Sequence, residues 1–554
     1  MTASKVDDEQ PPGADSGPLL DGAPVHVWAP LTVPIYRALW LTALVSNIGT
    51  WMQTVGAQWF LVEQHTSPLL IALIQTASAA PVLLLGIPAG VLGELLNRRW
   101  LLIWMQALQV IISGALVWLT VTGQLTSYLL LGITLLLGAA TAVQLPAYQA
   151  LATEIVPRPM IPMAASLSAI SINTARAIGP AIAGVLLSAY GVGFVFAVNV
   201  ASYTAFLFVL IFWRKYVPSP HEPEHFTDAA RAGVRYVSNS AVVKRIYVRL
   251  GLFVVPGSVL YALLPLIATD RLDLDSVDYG LLLAGLGAGS ITAAFLMAWF
   301  HRMGVNRTVF ACSVLFGLAT VGVAASPNIF LTLPLLAVAG ASWIGVVATL
   351  NGTVQTFLPV WVRSRGLSIY QMVLYGSMAA GGVMSGVVAG WTGAVVTCAI
   401  AGAVTVVAAT TQLIWPLVDT TDMRRTSVAL PLMTAEADAH IKGDRATLVT
   451  VRWTVGEEDR AKFIAHSSLV ERSRRRTGAR TWGLYEDRED EQVLVEVFAV
   501  GSWQEHLQQH RTRLTQYDQE VLHAADALAQ TVDVQHLMEI AHTITPHKRQ
   551  EKRT

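Results

Sequence analysis

Twelve stretches of this chain are each long and apolar enough to cross a lipid bilayer. A span needs about 20 mostly apolar residues, and inside hydrocarbon every backbone N–H and C=O must be satisfied within a helix or a closed barrel. The stretches lie at approximately 37–62, 68–93, 100–121, 126–151, 162–190, 191–213, 246–269, 279–300, 308–326, 328–354, 366–391 and 393–416. The joins at Gly191 and Gly393 are tight turns. A hydrophobic share of 53%, a charged share of 13% and a mean hydropathy of +0.51 exceed what a water-soluble protein reaches, so lipid is the solvent for most of the chain. The expected class is an all-α membrane protein of twelve transmembrane helices.

The charges are placed unevenly. Net charge is 0, which provides no basic field for nucleic acid, and 40 of the 74 Asp, Glu, Lys and Arg residues fall in 421–554. That shift marks a soluble C-terminal unit. The expected division is a cytoplasmic tail (1–35), a six-helix bundle (36–213), a linker (214–245), a second bundle (246–417), a tether (418–445), an α/β domain (446–540) and a basic tail (541–554). Placing the N-terminus inside puts fifteen Lys and Arg residues in inner loops and flanks, among them Arg98, Arg99, Arg214, Lys215, Lys244 and Arg245, and leaves only Arg271 outside. The positive-inside rule therefore predicts cytoplasmic N- and C-termini in a bacterial inner (plasma) membrane. Cys312 and Cys398 lie in apolar stretches without a CxxC, so neither a disulfide framework nor a metal site is indicated.

An offset of 202 residues relates the two bundles. It maps Gly138-Ala139 onto Gly340-Ala341, Pro157 onto Pro359, Ser166 onto Ser368, Gly179 onto Gly381, Gly184 onto Gly386 and Gly191 onto Gly393. Six spans return each half to the same side, so the halves are expected to be parallel repeats about an axis along the membrane normal. A site near the midplane between them, with alternating access, follows from that arrangement.

Gly90-Val-Leu-Gly-Glu94-Leu-Leu-Asn97-Arg98-Arg99, at the inner end of span two, resembles the loop motif of the major facilitator superfamily. Gly90 allows close helix approach, Glu94 can accept hydrogen bonds from a neighbouring helix end, and Arg98 and Arg99 can anchor the loop at the anionic inner surface. Leu95 and Asn97 depart from the family pattern. In span five, Ala175-Arg176-Ala-Ile-Gly179-Pro180-Ala-Ile-Ala183-Gly184 is similar to the Gly-Pro motif of the superfamily's exporters: Pro180 removes a backbone donor, and Gly179 and Gly184 permit a bend and close packing. Asn47-Ile-Gly49-Thr-Trp51-Met-Gln53, Glu154-Ile-Val-Pro157-Arg158 and Pro359-Val-Trp361-Val-Arg363-Ser-Arg365 resemble the enterobactin-exporter-like, or transmembrane secretion effector, branch. The resemblance implies efflux of siderophores, drugs or other secondary metabolites driven by the proton gradient.

Ionisable groups within the bilayer are expensive and mark function. Arg176 alone sits well inside a span, and is expected either to face the cavity and meet an anionic group or to bond helix-end carbonyls. No carboxylate lies at the midplane, and Thr134 stands where the superfamily's proton antiporters carry an Arg. Glu154 is the candidate for proton coupling, or else a fixed partner of Arg158. The uncharged candidates Asn47, Gln53, Gln75, Gln106, Asn173, Tyr370 and Gln371 line a cavity or bond between helices.

Phe226–Val237 has apolar and basic faces suited to lie along the inner membrane surface. Beyond the tether, strands are expected at 449–453, 480–486, 492–500 and 531–539, with helices at 456–474 and 502–529. This βαββαβ order predicts a ferredoxin-like sandwich. It resembles the antibiotic-biosynthesis-monooxygenase type of domain, a resemblance that implies a homodimer through paired sheets. His506 and His510 at i, i+4 spacing either ligate a metal or form a polar helix face; the latter is expected. No Walker loop is present, and no cofactor or catalytic residue is expected. An alternative reading makes the helices an anchor for an oxidising or sensory C-terminal domain.

Overall fold

The protein is described here by a computed structural model covering residues 26, 28–213, 226–418 and 446–539. The tail before residue 26, the linker portion 214–225, the tether portion 419–445 and the basic tail 541–554 lie outside the described residues.

The membrane part is built from α1 (Pro34–Glu63), α2 (Pro68–Leu95), α3 (Arg98–Val121), α4 (Ser127–Ile155), α5 (Ile161–Phe212), α6 (Phe226–Asn239), α7 (Ala241–Leu266), α8 (Ser276–Met303), α9 (Val305–Ala325), α10 (Ile329–Phe357), α11 (Val360–Thr392) and α12 (Ala394–Ile414). Among the described residues ten helices are long and apolar enough to cross a membrane, against the twelve expected. Two physical causes account for the difference. Helix α1 carries Ser46, Asn47, Thr50, Gln53, Thr54 and Gln58, which dilute its apolar character. The fifth and sixth expected spans run on as the single 52-residue α5, interrupted at Gly191 (φ 77°, ψ 174°). That backbone conformation is open to glycine and few other residues, and Gly393 adopts it between α11 and α12 (φ 80°, ψ 162°).

The two halves repeat their close contacts as well as their turns. Gly179 of α5 packs on Ile48 and Trp51 of α1, and Gly381 of α11 packs on Val255 and Ser258 of α7. Five residues on, Gly184 meets Gly280 of α8, while Gly386 meets Leu69 and Ala72 of α2. Small residues at these points let backbones touch, which is what holds helices together where lipid removes the hydrophobic driving force.

The C-terminal region is a four-stranded antiparallel sheet of β1 (Thr447–Thr454), β2 (Thr481–Glu486), β3 (Val493–Val500) and β4 (Thr531–Met538) in the order β2-β3-β1-β4. Strand β1 is central, Val451 lying opposite Glu496 on one side and Val534 on the other. Its residues Val449, Val451 and Trp453 face α13 (Glu457–Thr477) and form a core with Phe463, Val470, Leu494 and Phe498. The single helix expected at 502–529 is broken. It becomes α14 (Trp503–Gln508), a wide turn at Gln509–Arg513, an extended Leu514 and α15 (Gln516–Asp526). Leu514 is fully buried, and Thr515 starts a new helix by a capping box with Asp518, so insertion of one apolar side chain and one cap outweighs helix continuity.

Helix α6, expected to lie along lipid, has protein on both faces instead. Tyr236 and Val237 are buried, Tyr236 edge-on to Trp361 of α11 at 5.8 Å, and Arg235 bonds Glu505 of α14 at 2.6 Å. Its basic side found a carboxylate and its apolar side an indole.

Candidate functional site

The halves meet along two antiparallel helix pairs, α2 with α11 and α5 with α8. On the first, Gly86 faces Met372, Gly376 faces Leu83, and the Thr76 hydroxyl donates to the Ala379 carbonyl at 3.0 Å. On the second, a Cβ built on Gly184 would lie 2.8 Å from the Cα of Gly280. Polar contacts add to this near the Gly191 end of the bundle. Tyr279 of α8 donates to Gln58 Oε1 at 2.9 Å and stacks on Trp59 at 5.6 Å, while Gln58 Nε2 reaches the Tyr261 carbonyl at 3.5 Å. That end is therefore closed by residues from both halves.

Arg176 projects from the middle of the first arm of α5. Its guanidinium lies over the Trp51 ring at 5.3 Å, and Tyr261 of α7 and Tyr375 of α11 stand within reach of its charge. Arg176 is half-buried, and neither its Nε nor the Tyr261 hydroxyl has a hydrogen-bond partner among the described residues. A cation–π contact contributes about 0.5–2 kcal/mol, whereas an uncompensated charge at membrane depth costs at least about 2.5 kcal/mol. The indole alone does not balance that cost. Arg176, Trp51, Tyr261 and Tyr375 thus form a cationic, aromatic centre drawing on both halves, able to accept an anionic group and stack an aromatic or apolar body.

The other polar candidates separate by position. Asn47 donates to Ser171 at 3.2 Å, joining α1 to α5. Gln53 is buried and accepts from Asn199 at 2.5 Å, and Gln106 donates to the Tyr203 carbonyl at 3.2 Å, so both are placed between helices of the first half. Tyr370 is fully buried and donates to the Val347 carbonyl at 2.8 Å. Gln75 and Gln371 are half-buried on α2 and α11, the pair that joins the halves, and Asn173 lies on α5 one turn before Arg176. Sequence reasoning passed over Gln58, Tyr261, Tyr279, Tyr375 and Asn199. The amides of Gln58 and Asn199 inside apolar stretches were an available signal; the tyrosines, with apolar rings, offered none.

At the opposite end, Gly90 and Glu94 lie in the last turns of α2, and Arg98 opens α3 after the Asn97 cap. Arg98 forms an ion pair with Glu154 at the end of α4, each largely shielded. Arg99 donates to the Leu210 and Ile211 carbonyls at the end of α5, both at 3.0 Å. The two arginines expected to anchor a loop at lipid headgroups thus engage protein: one meets the candidate coupling carboxylate, the other caps a helix. Pro180 is buried between Gly179 and Gly184, with its carbonyl near Gly280.

In the C-terminal sheet the two histidines expected on a polar helix face turn inward, because the break after α14 redirects that face. His506 is fully buried, its ring 4.8 Å from His510 and 4.9 Å from His536 of β4. Burial, then the neighbouring imidazoles, lowers His506 to about 3; burial and Arg474 lower His510 to about 4. All three rings are neutral at physiological pH. Beside them the buried Glu496 accepts from Arg474 at 3.0 Å and from Trp482 at 2.8 Å. No group of three or more potential ligands placed to hold a metal occurs among the described residues.

The sequence is matched by one family over nearly its whole length. Residues 25–550 match the family described as transmembrane secretion effector. The chain belongs to that family. This transmembrane secretion effector protein is 24% identical over 280 residues to the staphyloferrin A transporter of Staphylococcus aureus (strain NCTC 8325 / PS 47), covering 50% of this chain and 70% of that one. It is 26% identical over 188 residues to the uncharacterized MFS-type transporter YfiS of Bacillus subtilis (strain 168), covering 33% and 44%. Among solved structures, the nucleoside transporter NupG superposes with a TM-score of 0.54 at 13% identity, covering 69% of this chain and 98% of that one. A POT family transporter in complex with 5-aminolevulinic acid gives 0.58 at 11%, covering 69% and 95%. The fold of the membrane part is that of these transporters, and this member of the family is a multi-pass membrane transporter, with no sign of an enzyme in its relatives.

Proposed function

We propose that this transporter is a secondary active exporter that carries a small anionic molecule, of siderophore, drug or secondary-metabolite type, across the plasma membrane by alternating access. The observation that carries the reading is Arg176: a half-buried cation at mid-helix, lying over Trp51, with an unpartnered buried Nε and tyrosines of the other half beside it. A substrate carboxylate or similar group supplies the missing counter-charge, and the small-residue pairs on α2–α11 and α5–α8 let the halves rock around it.

In this reading the membrane part has twelve spans, six per half in parallel repeats, with α1 and both arms of α5 each crossing once. The division at residues 36–213, 246–417 and 446–540 follows. The excess of cations at the Arg98 end supports placing that end, and both termini, in the cytoplasm. The β2-β3-β1-β4 order with helices on one face supports a ferredoxin-like C-terminal domain, whose edge strand β4 is exposed and suited to pair in a homodimer. Protons are the coupling ion, with Glu154 exchanging between Arg98 and a proton. Export is the direction favoured by the Gly179-Pro180 motif, and a siderophore cargo is favoured by the staphyloferrin A transporter among its relatives.

The test measures retention of siderophores and fluorescent drugs in cells with and without the gene, with and without a protonophore. Lower retention that depends on the gene and is abolished by the protonophore is expected; unchanged retention of every compound contradicts the proposal.

A further inference from the structure

We infer that the C-terminal domain is a clamp on α11, held by Glu505 between Arg235 and Arg513, and that its release shifts the arrangement of the two halves. Glu505, on the first turns of α14, accepts from Arg235 of α6 at 2.6 Å and from Arg513 at 3.1 Å, and its second oxygen accepts from the Gly501 amide at 3.2 Å. The carboxylate and both guanidiniums are 8–18% exposed, so this is a shielded triad rather than a solvated surface pair. Burial alone would raise the Glu505 carboxyl, but the two guanidiniums hold it below its ordinary range.

The triad bears directly on the membrane part. Arg513 lies over the Trp361 ring at 5.1 Å, Tyr236 meets the same ring edge-on at 5.8 Å, and Gly233 packs against Arg365. Trp361 and Arg365 belong to the first two turns of α11, the helix whose Met372 and Gly376 face Gly86 and Leu83 of α2 across the interface between halves. A domain that grips α6 and the start of α11 together ties α11 to the second half. Any rocking that tilts α11 against α2 must carry the domain along or break its contacts. A purely structural tail needs no grip on an interface helix.

The inference rests on the alternating-access reading, and the experiment separates the two. Full-length protein carrying Leu96→Cys and Thr356→Cys, exposed positions on opposite halves, is spin-labelled; the native Cys312 and Cys398 are buried. The distance distribution is read in the parent, in Arg235→Glu and in Arg235→Lys, together with hydrogen exchange of 226–239 and 360–366. Arg235→Glu is expected to raise exchange in both segments at least tenfold and to shift the balance between two distances, while Arg235→Lys stays near the parent. Raised exchange with two distances in unchanged proportion overturns the clamp and leaves rocking intact. Unraised exchange in Arg235→Glu denies that the triad holds the domain and also overturns it. A single distance that no variant alters contradicts rocking itself, and the clamp falls with it.

Discussion

Gly184 of α5 and Gly280 of α8 meet backbone to backbone across the two halves: a Cβ on either would lie 2.8 Å from the Cα of the other. No side chain can enter there without moving a helix. Because overpacking typically costs about 1–3 kcal/mol, Gly184→Val or Gly280→Val should wedge the Gly191 end open without unfolding the bundle. Transport is expected to fall at least tenfold with membrane abundance retained, as read by export assay alongside immunoblot. Gly114, which has no neighbour within 4 Å of its built Cβ, is the control: Gly114→Val should leave transport unchanged.

The Arg98–Glu154 pair joins α3 to α4 at the opposite end. If Glu154 exchanges between Arg98 and a proton, Glu154→Gln removes net transport and its response to a pH gradient. Exchange of substrate for substrate, which needs no proton, should persist. A purely structural carboxylate would instead reduce both together.

Acid should loosen the C-terminal domain well before its carboxylates titrate. His506 and His510 stand at about 3 and about 4 when folded, against 6.5 in the absence of burial. Between those values the unfolded chain binds more protons, so stability is complete above pH 6.5 and declines as pH falls. Each histidine contributes up to about 1.4 kcal/mol per pH unit. Protection of the β1 and β3 amides in the full chain, referred to the intrinsic exchange rate at each pH, should therefore fall from pH 7 to pH 5, and His510→Phe should flatten that slope.

The topology has its own check. A reporter active only in the cytoplasm, fused after residue 554, should be active, and one inserted in the loop at Asp273 should not. The reverse pattern would invert the orientation read from the cations.

The parts legible in the sequence are those governed by periodicity and composition. Span positions follow from apolar length, and the strands from alternation such as Val449-Val451-Trp453. The Gly179, Gly184 and Gly191 repeat at Gly381, Gly386 and Gly393 foretold which contacts the halves would share. What stayed hidden depends on distant partners. Arg98 finds Glu154 56 residues away, and Glu505 finds Arg235 270 residues away. The inward turn of His506 follows from a helix break that apolar periodicity does not register, although Thr515-x-x-Asp518 carries the spacing of a helix cap. Arg176 was legible as a charge in a span; its place over Trp51 and within reach of Tyr261 and Tyr375 was not, because the four residues come from four helices separated in sequence.

The central claim, that an anionic molecule leaves the cell by way of Arg176, is tested most directly by profiling small molecules in the medium of cells. The cells express the wild-type chain, Arg176→Ala or neither, with and without a protonophore. Loss of a charge-assisted contact of about 2–3 kcal/mol predicts a roughly 30- to 150-fold weaker interaction in Arg176→Ala. At least one anionic compound should accumulate outside only with the wild-type chain and no protonophore. Equal export by Arg176→Ala at equal membrane abundance, or a medium that does not change with the gene, would contradict the account.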